Sequence, residues 1–153
     1  MVGDLNFKFE TIDIVDCMED AIKKLGAREA IRRHYQIDEC LVFGDKFHLT
    51  EMFFNILLNA DEAIKRAEVK TPQIEVDFIC EKDFCMFVIK DNGSGIERKN
   101  ISKIFRPFYS TKNFKRGGIG LNYVKTVIVK HKARIQVESK INEFTAMSVA
   151  FRI

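Results

Sequence analysis

The sequence predicts an α+β fold, a mixed and largely antiparallel sheet with three main helices on one face. Three observations predict it. Residues 47–67 are apolar at helical spacing, with no Gly or Pro to interrupt them. Two pairs of strand-like runs, the alternating 73–80 with the more apolar 83–90, and the alternating 133–140 with 144–153, are each joined by a short link, which makes antiparallel neighbours. The order in which helices and strands follow one another argues α+β. With 153 residues, 46% hydrophobic and 31% charged, the chain is expected to be one domain over 1–153 with enough apolar content for a core.

The elements are read in chain order. Residues 5–10 alternate apolar and polar and suit a short edge strand. Asp13 is an N-cap for a helix whose stripe is Ile14, Val15, Met18, Ala21, Ile22 and Leu25, and Gly26 stops it. Residues 31–37 and 39–43 read as a pair of short strands. Gly44-Asp45 turns the chain into the central helix, which runs to about Val69, before Thr71-Pro72. On that helix Leu49, Phe53, Ile56, Leu57, Ala60 and Ile64 share one broad face. The opposite stripe carries His48, Glu51, Asn55, Asn59 and Glu62. Asn is a poor helix former, and Lys or Glu would suit a merely solvated face better. The stripe is therefore either solvent-facing or a polar site on a buried helix. Residues 97–116 read as an irregular loop with seven Lys or Arg against Glu97 alone, and are expected to become ordered only when a phosphate ligand neutralises them. A helix from near Gly118 to near His131 follows, with Val124, Val127 and Ile128 on its apolar face.

Composition narrows the function. A net charge of +3 gives no argument for a nucleic-acid partner. No apolar run approaches the length of a membrane span, and MVGDLNFKFE lacks a signal-peptide core. A cytoplasmic location without direct membrane contact is expected. Cys17, Cys40, Cys80 and Cys85 form no CxxC pair and His131 is remote, so zinc spacing is absent and the thiols read as reduced and mostly buried.

Three further stretches carry chemistry. Asp91-Asn92-Gly93-Ser94-Gly95-Ile96 follows a strand, and Phe105-Arg106-Pro107-Phe108-Tyr109-Ser110-Thr111-Lys112 comes next. Gly117-Gly118-Ile119-Gly120-Leu121 opens a helix. Each is weak alone. With the Glu51, Asn55, Asn59 stripe before them, they resemble the N, G1, F and G2 boxes of the GHKL ATPase superfamily, and within it the catalytic, ATP-binding domain of sensor histidine kinases. The resemblance covers about residues 11–153. It implies a two-layer α/β sandwich with a nucleotide pocket between helices and a lid.

The resemblance also implies roles. Asn55 becomes the principal Mg²⁺ ligand, Asn59 a second ligand or phosphate contact, and Glu51 a neighbour of the metal waters or the γ-phosphate. Asp91 reads adenine, since a carboxylate accepts from its exocyclic amine and not from the carbonyl of guanine. Gly93 and Gly95 leave backbone close to the ring, with Ile96 beside them. Phe105 and Phe108 anchor the lid, and Thr111 and Lys112 end the F box within it, with the Lys112 ammonium on phosphate. Gly117, Gly118 and Gly120 expose a helix N-terminus to phosphate, and Leu121 begins the apolar face. There are departures. Glu62 stands where relatives often carry Lys, Arg116 replaces the first glycine of the glycine run, and Lys132-Ala133 replaces a glycine pair.

ATP-hydrolysing relatives place a water-activating Glu where Asn55 stands; Asn cannot accept a proton, so transfer to a protein acceptor fits better. The resemblance implies a histidine on a dimerisation and phosphotransfer hairpin, and indirectly a response regulator. His34, His48 and His131 lack the acidic follower such an acceptor carries, so the chain is expected to be the catalytic domain of a longer sensor kinase, at the cytoplasmic end of a membrane sensor or free of one. A nucleotide-dependent regulatory module and an anti-sigma-type serine kinase of the same fold are the alternatives.

Overall fold

The structure, a computed structural model, describes residues 5–26, 31–107, 109 and 119–153. In chain order its main elements are β1 (Glu10–Asp13), α1 (Ile14–Leu25), β2 (Ile31–Tyr35), β3 (Leu41–Gly44), α2 (Lys46–Ala67), β4 (Ile74–Cys80), β5 (Phe84–Asp91), α3 (Ile119–Lys130), β6 (Arg134–Lys140) and β7 (Phe144–Arg152). The five-stranded sheet has the order β2-β4-β5-β7-β6. β2 runs parallel to β4, and the other neighbours are antiparallel. β1 and β3 form a separate antiparallel ribbon.

Local chemistry sets the helix ends. The Asp13 carboxylate accepts from the Val15 N–H at 3.0 Å, and Gly26 closes α1 at φ 83°, where a side chain would be strained. Asp45 caps α2 by accepting from the His48 N–H at 2.8 Å. α2 ends at Ala67, two residues before the expected end, with Glu68 left-handed at φ 52°.

The core lies between sheet and helices. Cys85, Phe87, Ile89 and Asp91 of β5 and Thr145, Met147, Val149 and Phe151 of β7 are buried at alternate positions, as one covered face requires. Phe53 of α2 meets Phe87 at 5.0 Å between ring centroids, and Phe78 stacks on Phe87 at 4.2 Å. Burying each such ring contributes about 2–3 kcal/mol.

Two expectations are corrected. Residues 5–9 form no strand; pairing starts at Glu10. Their alternation instead serves helix ends, with Phe7 packed on the His48 ring at 4.3 Å and Phe9 stacked on the His131 ring at 4.7 Å. The two runs within 31–43 do form strands, but not with each other. β2 joins the large sheet beside β4, and β3 joins β1. Between them Gln36 holds the chain against the end of β4, its N–H donating to the Phe78 carbonyl and its Oε1 accepting from the Cys80 N–H at 2.7 Å.

Candidate functional site

The polar stripe of α2 is largely covered. His48 and Asn55 are buried, at 7% and 8% exposure, which decides against a solvent-facing stripe. The Asn55 amide donates to the Glu51 carbonyl at 2.8 Å, and the Asn59 amide donates to the Asn55 carbonyl at 2.9 Å. Each amide nitrogen is thus turned back on its own helix, and the oxygen end is directed away from it. Glu51 forms an ion pair with Lys24 of α1.

A cleft of about 330 Å³ opens between the second half of α2, the end of β5 and the start of α3. Of the expected site residues, Asn59, Asp91, Gly95, Ile96, Gly120 and Leu121 line it. Glu51, Asn55, Gly93 and Phe105 are not on its wall. Phe108, Thr111, Lys112, Gly117 and Gly118 lie outside the described residues.

Asp91 is the last residue of β5 and is 5% exposed. Its Oδ1 accepts from the Gly93 N–H at 2.8 Å. Burial pushes its carboxyl up to about 6, opposed by the Gly93 hydrogen bond and the Arg66 guanidinium. A buried carboxyl beside the apolar side chains of the cleft (Ile56, Ile89, Ile104, Met147) is suited to reading a hydrogen-bond donor on a flat ring.

The glycines earn their places by packing. A Cβ on Gly93 would stand 2.6 Å from the Ala63 carbonyl carbon, so this glycine lets the loop lie on α2 rather than on a ligand ring. Gly95 has φ 70°, and a Cβ there would stand 2.3 Å from the Lys140 carbonyl oxygen. The loop is tied on both sides: the Ser94 N–H donates to the Ala63 carbonyl at 3.1 Å, and the Asn142 N–H donates to the Ser94 carbonyl at 2.6 Å. The Ile96 N–H donates to the Ser139 hydroxyl at 2.8 Å.

The basic segment is not irregular throughout. Arg98–Lys103 forms a 3-10 helix, and Ile104 is buried on the cleft. Phe105 packs on the core, its carbonyl accepting from the Asn122 amide at 3.2 Å.

Several cleft residues were not singled out from the sequence. Arg66 lies on the wall, and its guanidinium donates to the Ser94 hydroxyl at 3.2 Å. Continuing the stripe of Asn59 and Glu62 by one more turn reaches Arg66, so helical spacing held the signal. Asn142, Thr145 and Met147 come from the β6–β7 hairpin and had no such local signal.

Comparison with known proteins agrees with this geometry. Residues 44–153 match the family described as Histidine kinase-, DNA gyrase B-, and HSP90-like ATPase. The chain is 34% identical over 121 residues to "Sensor protein RprX" of Bacteroides fragilis (strain YCH46), covering 72% of this chain and 22% of that protein. It is 32% identical over 123 residues to "Sporulation kinase A" of Bacillus subtilis (strain 168), covering 79% and 19%. The chain thus spans about a fifth of the length of these relatives. Among solved structures, the mycobacterial sensor histidine kinase MprB has the same fold, with a TM-score of 0.80 at 21% identity over 95% of this chain and 97% of that one. The nucleotide-free catalytic domain of histidine kinase ThkA superposes with a TM-score of 0.77 at 18% identity, covering 95% of each chain. With its ordered boxes, its cleft and a family match over most of its length, this chain belongs to the histidine kinase-, DNA gyrase B- and HSP90-like ATPase family.

Proposed function

We propose that residues 1–153 are the ATP-binding catalytic domain of a two-component sensor histidine kinase. It passes the γ-phosphoryl group of ATP to a histidine on a dimerisation hairpin, from which a response regulator is served. The observation that carries this reading is Asp91, a buried carboxylate held by the Gly93 N–H on the wall of the cleft.

The residues present fit both ATP and Mg²⁺. The cleft is of ligand size, and its apolar wall beside Asp91 suits a purine. Ionised Asp91 would accept from the exocyclic amine of adenine and repel the guanine carbonyl. Asn59 on the wall and Asn55 one turn before it offer neutral oxygens of the kind that a hard cation takes. Mg²⁺ held by these oxygens would supply neutralisation of the phosphate charge. Lys112 would add an ammonium, with Thr111 and Phe108 completing the lid, and Gly117 and Gly118 would bring backbone N–H groups to the phosphates. Glu51 is held by Lys24, so its role is to position the start of the stripe. Asn55 leaves no base at the position where it stands, which favours protein phosphorylation over hydrolysis.

A cytoplasmic setting follows from the use of ATP. Among the described residues, no helix is long and apolar enough to cross a membrane. Calorimetry with ATP and GTP, each with and without a chelator, tests the reading. ATP should bind in a Mg²⁺-dependent way and GTP at least about tenfold more weakly. Equal affinities would sink the Asp91 assignment. A kinase assay supplying the dimerisation domain in trans then tests transfer itself.

A further inference from the structure

The geometry points to a peroxide-sensitive dithiol at the end of the sheet remote from the cleft, in which Cys40 and Cys80 form a reversible disulfide. Cys40 meets there a pair of cysteines some forty residues further along the chain. Cys80 and Cys85 stand directly opposite each other on β4 and β5. The next pair outward is closed by a hydrogen bond from the Glu81 N–H to the Phe84 carbonyl at 2.8 Å, so Cys80 and Cys85 occupy a non-hydrogen-bonded pair, with side chains close together on one face. Cys40 arrives from the segment that Gln36 holds against the end of β4. Its thiol is a neighbour of both the Cys80 and Cys85 thiols. All four cysteines are free thiols.

Exposure divides the labour. Cys40 is 6% and Cys85 0% exposed, whereas Cys80 is only partly buried and reaches solvent beside the turn. Burial raises the Cys40 and Cys85 thiols above the ordinary range, which keeps them protonated and shields them from direct oxidation. Cys80 is therefore the entry point. A hydroperoxide, ROOH, transfers one oxygen to the Cys80 sulfur, giving the sulfenic acid and releasing ROH. The Cys40 sulfur then displaces hydroxide from the Cys80 sulfur, its proton leaves with it as water, and one S–S bond has formed. Two thiols have been oxidised by two electrons, and the O–O bond has been reduced. A dithiol reductant reverses the step.

The bridge would act on α1 rather than on the cleft. The Cys40 N–H donates to Asp13 Oδ1 at 2.9 Å, the same oxygen that caps α1, and the Ile14 N–H donates to the Cys40 carbonyl at 2.9 Å. Asp91 is six residues along β5 from Cys85, about 20 Å away at strand rise.

Treatment of the whole chain with hydrogen peroxide, followed by non-reducing digestion and mass spectrometry, tests the site. A Cys40–Cys80 linked peptide should form and disappear with dithiothreitol. The melting temperature should rise by several degrees, because the bridge closes a long loop in the unfolded chain, and ATP affinity should stay within about twofold. Cys80→Ser should abolish the bridge, and Cys85→Ser should leave it intact. Should either variant fail to fold, linked-peptide mapping on the unaltered chain remains decisive. A Cys80–Cys85 bridge, only intermolecular disulfides, or over-oxidation of Cys80 without any bridge would each overturn the assignment.

Discussion

Asp91 shows how one side chain couples stability to function. Its carboxyl is raised by burial to about 6, so the folded state holds a proton that the unfolded chain has released. Stability from this group is full below about pH 4 and is lost as pH rises through about 6. Asp91→Asn should keep the Gly93 hydrogen bond through its amide oxygen while removing the buried charge. The variant should melt higher than the parent at pH 7.5, by an amount equivalent to about 2–3 kcal/mol, and match it near pH 4. ATP affinity should fall by about tenfold or more. Melts across pH, paired with calorimetry, check both halves. Asn55 behaves differently. Its place on the polar stripe predicts that Asn55→Ala leaves melting nearly unchanged, but the side chain is buried and donates to the Glu51 carbonyl. The variant should therefore lose about 1 kcal/mol in urea unfolding while still folding, and should lose Mg²⁺-dependent nucleotide binding. Full retention of that binding would remove Asn55 from the metal site.

At the scale of elements, the loop from Asn92 to Ile96 is a strap between α2 and the β6–β7 hairpin, and the cleft depends on its path. Gly95→Ala meets both a left-handed backbone and the Lys140 carbonyl, so it should destabilise the fold by about 1–3 kcal/mol. Because Asp91 is anchored through this loop, ATP affinity should fall as well. Denaturation and calorimetry on the same preparation separate the two effects. Ser94→Ala removes the exposed Arg66 contact and a long hydrogen bond to the Gly95 carbonyl, and should change stability by less than about 0.5 kcal/mol. Of the basic segment, the stretch up to Ile104 is a built wall of the cleft rather than a loop waiting for phosphate, because Ile104 has apolar partners to bury it.

Across the whole molecule, two histidines, one buried and one partly buried, join parts distant in sequence. His131, just after α3, donates from Nδ1 to the Val127 carbonyl at 2.9 Å and accepts at Nε2 from the Asp45 N–H at 3.0 Å. His48 pairs with the Tyr123 hydroxyl at 2.5 Å and with the Asn6 carbonyl at 2.9 Å. The acceptor role fixes His131 as neutral, and burial lowers its affinity for a proton. Its stabilising contribution is therefore present above about pH 6.5 and is lost as pH falls, opposite in sign to that of Asp91. His131→Ala should cost about 1–3 kcal/mol at pH 7.5, and the gap to the parent should narrow at pH 5. Urea unfolding at the two pH values measures it.

Sequence alone determined what depends on local periodicity. α1, α2 and α3, with the Asp13 cap, the Gly26 stop and the turn at Gly44-Asp45, follow from side-chain spacing and backbone preference within a few turns. So do the two hairpins, β4–β5 and β6–β7, whose short turns leave no other pairing. The expected residues Asn59, Asp91, Gly95, Ile96, Gly120 and Leu121 converge on one cleft because those elements carry them there. The tertiary structure decided what joins segments far apart in the chain. Alternation at 5–10 looks like a strand whether its apolar side meets a sheet or two histidine rings, and the rings won. β2 and β3 have strand-like sequences, but partner choice is a non-local competition, settled by the free edges of β4 and β1. The same holds for Lys24 on Glu51 and for Cys40 beside the Cys80 and Cys85 pair. None of these contacts leaves a mark within a helical turn or a hairpin, because each depends on where packing brings two distant backbones together.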